Sequence, residues 1–262
     1  MTPSAPTRAA DAPARVPGST YRLQLHRGFG FAEVAGLLDY FEALGITDLY
    51  LSPVLTARAG STHGYDVVDP EHVNPELGGE AGLVALAEAL RGRGMGLLVD
   101  VVPNHLCVAD DANRLWSDVL ENGPSSASAR FFDIDWRPPK VELTDKVLLP
   151  ILGDQYGAVL ERRELSVHLV GGAFELRYWE RSLPLAPKSW ISILERALEL
   201  MAGRGEGALP GAALLESITT GLRYLPTRDE RDPERLRERG REKEVLKARL
   251  AALVQTSPPA SA

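Results

Sequence analysis

The chain has 262 residues and a formal net charge of −7 at pH 7, and 44% of its residues are hydrophobic. This composition is typical of a globular protein, and the length suffices for one large α/β domain or two smaller ones. The acidic balance argues against nucleic acid as a partner, because no basic face offsets it. No apolar stretch reaches the length of a transmembrane helix, so we expect no membrane partner.

The two ends of the chain are predicted to be tails. Residues 1–18 are rich in Ala, Pro, Ser and Thr and lack the apolar core of a secretory signal, which predicts a disordered tail. Residues 256–262 predict a second, Pro-rich tail. A single cysteine, Cys107, excludes an intrachain disulfide and favours a cytoplasmic location. We expect Cys107 to be a small packed side chain rather than a nucleophile.

Strands and helices alternate over the first hundred residues. Strands are predicted over 19–25 and 48–52, and apolar residues at helical spacing predict helices over 31–44 and 83–90. The third strand, 96–102, is an almost unbroken apolar run, which predicts burial on both faces. This alternation implies a parallel sheet with right-handed crossovers. Long loops after the second strand (from Pro53 to about Gly79) and the third are typical of a barrel whose functional face they build.

The pattern changes after residue 105, first to short strands and then to helices. The predicted elements are a helix over 113–121, strands over 147–150, 164–170 and 174–179, and helices from Ser189 onward. Charges of both signs are dense over 228–249, which favours a solvent-exposed helix over a binding patch.

The predicted fold class is α/β: an incomplete (β/α)8 TIM barrel of about three strands, with a β-rich insertion after strand 3 and a helical C-terminal segment. The predicted boundaries are 19–105 for the first part of the barrel, 106–188 for the inserted subdomain and 189–255 for the helical segment. Three strands cannot close a barrel, so the third strand is expected to lack a neighbour on at least one side. The polypeptide by itself is therefore expected to be poorly soluble or partly molten.

Polar side chains follow the second and third predicted strands. Asp100 lies inside the third apolar run and needs a specific partner, because a buried unpaired charge is costly. His105 follows that strand, where parallel α/β folds place their chemistry. The preceding loop holds His63, Tyr65 and Asp66, and this mixture of imidazole, aromatic ring and carboxylate suits a sugar. A packed loop without function is an equally good interpretation from these loop residues alone.

Several segments resemble the α-amylase superfamily, glycoside hydrolase family 13. Asp100-Val101-Val102-Pro103-Asn104-His105 resembles the first signature region of that family, and His63-Gly64-Tyr65-Asp66 resembles its motif after the second strand. The strings 50–70, 73–80, 131–136 and 149–153 are similar to the maltooligosyl trehalose synthase family, over about 19–190 in all. This resemblance implies a retaining, intramolecular transglycosylation that turns the reducing-end α-1,4 linkage of a maltooligosaccharide into an α,α-1,1 linkage.

The resemblance also implies roles for individual residues. Tyr65 would stack on the sugar, with His63 beside it, and His105 would hydrogen-bond sugar hydroxyls. Asp100 would orient the site by pairing with a basic group from a later strand, and Asp66 would be structural. Asn104 occupies a position that binds calcium in many amylases, but the resemblance implies no metal and no cofactor, so we expect a loop-capping amide. The expected partner is the maltooligosaccharide substrate.

The catalytic carboxylates of that family are not found. Its nucleophile follows a Gly-x-Arg-x-Asp pattern, which Gly221-Leu222-Arg223-Tyr224-Leu225 only begins to match, and no His-Asp pair occurs. We therefore expect the chain to stop before strand four of the barrel and to have no synthase activity alone. Three alternatives stay open: a non-catalytic carbohydrate-binding remnant, half of a split enzyme whose remaining barrel is a separate chain, and another family 13 glycosidase such as an amylase.

Overall fold

The computed structural model describes residues 16–207 and 209–256, so most of the predicted tail 1–18 and nearly all of the tail 256–262 lie outside the described residues. The chain divides into two compact units, residues 1–107 and residues 108–262. Among the described residues, no helix combines the length and the apolar composition that crossing a bilayer requires.

The first unit is built around a parallel sheet. Its elements in chain order are β1 (Thr20–Leu23), α1 (Phe31–Gly36), α2 (Leu38–Ala43), β2 (Asp48–Leu51), β3 (Leu55–Ala57), β4 (Val67–Val73), α3 (Gly79–Gly92) and β5 (Gly96–Val99). The strand order is β1-β2-β5, and both pairs are parallel. The predicted parallel sheet is therefore confirmed. Helices α1 to α3 lie in the crossovers that parallel neighbouring strands require.

The core of this unit lies between the sheet and its helices. Apolar side chains at helical spacing face the alternate apolar positions of the strands, and burial of this surface is the main favourable term in folding. The buried residues include Leu23, Val34, Leu38, Phe41, Leu49, Leu51, Leu86 and Leu90. The single helix predicted over 31–44 is in fact α1 and α2, which meet at Leu37.

Two expectations about this unit are wrong. The loop from Pro53 to Gly79 contains the antiparallel pair β3 and β4, with shifts in register between them. The third strand is not buried on both faces: it ends at Val99, and Leu98 and Val99 are each more than one-third exposed. The reason is that β5 is the last strand of its three-stranded sheet, with β2 on one side. Its other flank has no strand among the described residues.

The second unit combines an antiparallel sheet with helices. Its elements are α4 (Arg114–Asn122), α5 (Tyr156–Glu161), β6 (Leu165–Val170), β7 (Ala173–Tyr178), β8 (Arg181–Pro184), α6 (Trp190–Gly203), α7 (Pro210–Tyr224) and α8 (Pro233–Thr256). The strands predicted over 164–170 and 174–179 are confirmed as β6 and β7, and their hairpin turns at Gly171 and Gly172, both with positive φ. The strand predicted over 147–150 is wrong, since this segment is irregular, and β8 is an additional strand.

The charged helix α8 is not the fully solvated helix that its composition predicts. Phe174, Trp190 and Leu250 share a core, so one face of α8 is buried. Arg239 is 3% exposed and Lys243 is 7% exposed. The Lys243 ammonium lies 2.7 Å from the Glu121 carboxylate of α4, and the Arg239 guanidinium donates to the backbone carbonyl of residue 226 at 2.7 Å. Pairing is what permits these charges to be buried.

Candidate functional site

The predicted site lies where β1, β2 and β5 end together. The register pairs Leu23 with Leu51 and Leu51 with Val99, so the positions that follow each strand are neighbours. The buried Ser52 tightens this edge, because its backbone N–H donates to the Leu23 carbonyl at 2.9 Å and its hydroxyl accepts from the residue 25 N–H at 2.8 Å. The backbone N–H of Asp100 donates to the Leu51 carbonyl at 2.9 Å.

Asp100 therefore stands just after β5 rather than inside a buried strand, and it is half-buried. The expected basic group of a later strand is untested, and the partner that the structure gives Asp100 is a phenol. The Tyr65 hydroxyl donates to Asp100 Oδ2, and the same hydroxyl accepts from Arg22 Nη2 at 2.9 Å. A tyrosine pairs with this carboxylate because the loop before β4 carries the phenol back over the end of β5.

The loop that carries Tyr65 is held in one conformation by its own polar groups. The Ser61 hydroxyl donates to Asp66 at 2.5 Å and accepts from the Gly64 N–H at 3.1 Å. Gly64 has φ +79°, and a Cβ at this position would lie 2.6 Å from the backbone carbonyl oxygen of Pro53. Both observations require glycine here, since it alone accepts this dihedral and this close approach without strain.

Electrostatics keep Tyr65 protonated. The hydrogen bond to Asp100, and secondarily desolvation, raise the pKa of Tyr65 above its ordinary value, while Arg22 opposes this effect. The hydrogen bond with Tyr65 likewise raises the pKa of Arg22. At neutral pH, hydrogen bonds thus link the Arg22 guanidinium to the neutral Tyr65 phenol and the phenol to the Asp100 carboxyl group.

The two histidines both contact the backbone of Tyr65. The ring of His63 stacks on that of Tyr65, with centroids 6.1 Å apart and an interplanar angle of 25°, and its Nδ1 accepts from the Tyr65 N–H at 3.0 Å. His105 Nε2 lies 3.2 Å from the Tyr65 carbonyl oxygen. His105 Nδ1 lies 3.0 Å from the side-chain oxygen of Asn104. The six residues singled out by sequence are therefore brought together around Tyr65.

Arg22 and Gln24 belong to the same cluster, and sequence analysis missed them. Arg22 Nη1 donates to Gln24 Oε1 at 2.9 Å, and Gln24 Nε2 donates to the Thr62 carbonyl at 3.0 Å. The signal was the alternation of β1 and the residues after it, where Leu23 and Leu25 are buried and the two polar side chains are exposed. Polar residues two apart share one face of a strand.

Within the part of the chain that the structure describes, one group of side chains has the spacing of metal ligands. It comprises Asp69, Glu71 and His72, whose candidate ligand atoms lie within 4.8 Å of one another. The Asp69 carboxylate already pairs with His72 at 2.8 Å, and both Glu71 and His72 are exposed. This is an ordinary surface arrangement, and we assign no metal to it. Neither Asn104 nor His105 is part of the group.

Comparison with known proteins identifies related sequences and structures. Residues 30–158 match the family model described as "Alpha amylase, catalytic domain". Over 178 residues the chain is 49% identical to a Mycobacterium tuberculosis protein that carries a provisional maltooligosyl trehalose synthase name, an alignment that covers 65% of this chain. A crystal structure of maltooligosyl trehalose synthase matches with a TM-score of 0.60 and 40% identity over 64% of this chain. The enzyme from Arthrobacter ramosus matches with a TM-score of 0.57 and 45% identity over 65% of this chain.

The chain spans only a small part of these relatives. The alignments cover 22% of the Mycobacterium tuberculosis protein, 22% of the first solved structure and 21% of the Arthrobacter ramosus enzyme. An intracellular maltogenic amylase of Bacillus subtilis is 36% identical over a shorter stretch of 97 residues, so the likeness to the synthases is longer and stronger. Residues 30–158 thus match the catalytic domain of the α-amylase family, and the chain is homologous to maltooligosyl trehalose synthases over part of their length.

Proposed function

We propose that residues 19–105 form one wall of a sugar-binding active site of the maltooligosyl trehalose synthase type. The observation that carries this proposal is the Tyr65 cluster, in which an aromatic ring is fixed by Asp100 through its hydroxyl and flanked by two histidines. The cluster lies at the carboxyl ends of parallel strands, which is where barrel enzymes bind their substrates.

The geometry suits a pyranose ring. The face of the sugar would pack on the Tyr65 ring, because C–H groups favour an aromatic surface. Asp100 uses Oδ2 for the phenol, so Oδ1 can accept a hydrogen bond from a sugar hydroxyl. His63 and His105 are exposed and stand at the rim, where their rings would contact further hydroxyls. Asp66 and Asn104 would act on the loops, through Ser61 and His105 respectively.

The proposed reaction of the assembled enzyme is a retaining transglycosylation of a maltooligosaccharide. A carboxylate nucleophile would attack the anomeric carbon of the penultimate glucose, and an acid would protonate the oxygen that departs with the last glucose. The released glucose would then return through its anomeric hydroxyl in place of water, which gives an α,α-1,1 linkage. Neither the Gly-x-Arg-x-Asp pattern nor a His-Asp pair occurs in the 262 residues. We therefore propose that this polypeptide alone binds sugar but catalyses no synthesis.

The remaining architecture follows from this proposal. β1, β2 and β5 would be the first three strands of a (β/α)8 barrel, followed by an inserted subdomain over 106–188 and a helical segment over 189–255. One observation favours further barrel strands beside β5: Leu98, Val99 and Val101 are exposed, with Val101 at 62%. Apolar side chains on an open sheet edge are a ready template for another strand.

Binding and activity are tested together with maltohexaose. We expect saturation-transfer NMR to show binding to the chain and loss of binding in Tyr65→Ala, while Tyr40→Ala, which removes an exposed tyrosine of α2, binds as before. Reducing ends should stay constant during incubation. A chain that binds no maltohexaose, or binds it equally well without Tyr65, would overturn the sugar-binding wall. Formation of a non-reducing product would overturn the expected inactivity.

A further inference from the structure

We propose that Arg22 is a positioning residue, braced by Gln24, that fixes the direction of the hydrogen bond between Tyr65 and Asp100. In this arrangement Tyr65 is held as a donor, and Asp100 is left as an acceptor for a sugar hydroxyl. The part of the inference that concerns the sugar rests on the proposed function, whereas the positioning of Tyr65 does not.

The direction follows from which groups can donate. A guanidinium carries only donors and cannot accept a hydrogen bond. Arg22 Nη2 lies 2.9 Å from the Tyr65 oxygen, so that oxygen must accept. The single phenolic hydrogen is then directed to its other neighbour, the carboxylate of Asp100. Without Arg22, the phenol oxygen would accept from a sugar or from water instead, and the hydroxyl would be free to turn its hydrogen away from Asp100.

A second chain of contacts keeps Arg22 itself in place. Its Nη1 donates to Gln24 Oε1 at 2.9 Å, and Gln24 Nε2 donates to the Thr62 carbonyl at 3.0 Å. The amide of Gln24 is therefore used at both ends, which fixes its orientation. The guanidinium also lies over the Tyr50 ring, 5.6 Å from the ring centroid. Strand β1 is in this way tied to the loop that carries Tyr65.

The partners of Arg22 are unusual for a surface arginine. The ion pairs found among the described residues include none to Arg22, although the chain holds 36 acidic residues. Its recorded contacts are with a phenol, an amide and an aromatic ring instead. Exposed ion pairs contribute little to stability. The contacts of Arg22 with Tyr65 and Gln24 therefore favour a role in orienting Tyr65.

The test uses the full chain with tyrosine labelled at 13Cζ, which reports hydrogen bonding at the phenol. The Tyr65 resonance is identified by its loss in Tyr65→Phe. At neutral pH we expect Arg22→Met to shift this resonance. In Arg22→Lys we expect a smaller shift from the wild-type position, because a lysine keeps the charge but cannot contact Tyr65 and Gln24 at once as the guanidinium does. The matched control is Arg27→Met, which removes the same charge from an exposed position outside the cluster.

Maltohexaose binding is measured on the same samples. We expect Arg22→Met to weaken binding by about threefold or more, the size of effect that loss of one ordinary hydrogen bond produces, and Arg27→Met to leave it unchanged. An unchanged Tyr65 resonance in Arg22→Met would overturn the positioning of Tyr65. A shifted resonance with unchanged affinity would overturn its link to the sugar. A shifted resonance in a chain whose wild type binds no maltohexaose would support the positioning role and refute the proposed function.

Discussion

Replacement of Gly64 by alanine tests whether close backbone approach shapes the Tyr65 loop. Gly64 has φ +79°, and its missing Cβ would stand 2.6 Å from the Pro53 carbonyl oxygen. Gly60, in the same loop, has φ +73° but has nothing within 4 Å of its Cβ position. The two glycines thus share the same dihedral strain, and the contact with Pro53 is the difference between them.

The structure sets the size of each effect. A side chain forced into the left-handed region costs about 1–2 kcal/mol, which is the full expected loss for Gly60→Ala. Gly64→Ala adds a clash with backbone that cannot turn away, because residue 53 is buried. Overpacking of this kind costs a further ~1–3 kcal/mol, so we expect a total of about 2–5 kcal/mol.

Hydrogen exchange on peptides from the first unit measures these losses, since protection there reports its unfolding free energy. The four tryptophans lie at 116, 136, 179 and 190, so their fluorescence follows residues 108–262 and serves as an internal control. We expect reduced protection of β2 in Gly64→Ala, a smaller reduction in Gly60→Ala and unchanged fluorescence in both. Equal losses of protection in the two variants would refute the argument from close approach.

Glu121→Gln removes the buried carboxylate that pairs with both Lys243 and Lys247 and should destabilise the second unit by about 3–5 kcal/mol in urea, whereas Glu244→Gln, which removes only the exposed partner of the same lysines, should cost below about 1 kcal/mol. Desolvation lowers the pKa of Lys243, but the hydrogen bonds and charges of Glu121 and, to a lesser degree, Glu244 together outweigh it and hold the pKa above its usual value. This stabilisation is therefore present below the unfolded-state pKa of about 10.4 and is lost as pH rises through the higher folded-state pKa; its loss below about pH 8 would contradict the assignment. Val101→Lys should reduce self-association measured by light scattering, and Val84→Lys, which alters an exposed valine of α3, should not.

The parallel sheet could be predicted because β1, β2 and β5 alternate with helices of clear apolar period. The pair of β3 and β4 could not, because Asp69-Pro70 in the middle of β4 interrupts any strand pattern, and their pairing depends on shifts in register that no local rule predicts. The exposure of β5 likewise depends on which strands flank it, whereas its composition only reports that it is apolar.

The candidate site could be predicted in outline, since Asp100 and His105 follow β5 and Tyr65 lies in the long loop that follows β2. The partner of Asp100 could not, because the meeting of Tyr65 with Arg22 depends on how the loop folds back over β1. The burial of Lys243 is similar: its partner Glu121 is 122 positions away along the chain, and a mixed run of charges does not reveal such a contact.

The most direct test of the sugar-binding wall is to map where maltohexaose contacts the chain. The five histidines provide the map, because His63 and His105 flank Tyr65 while the other three, at 26, 72 and 168, are not among the residues that contact Tyr65. We predict that titration with maltohexaose shifts the ring NMR resonances of His63 and His105 and leaves the other three in place. Shifts confined to the other histidines, or no shift at either flanking histidine at saturating sugar, would contradict the account.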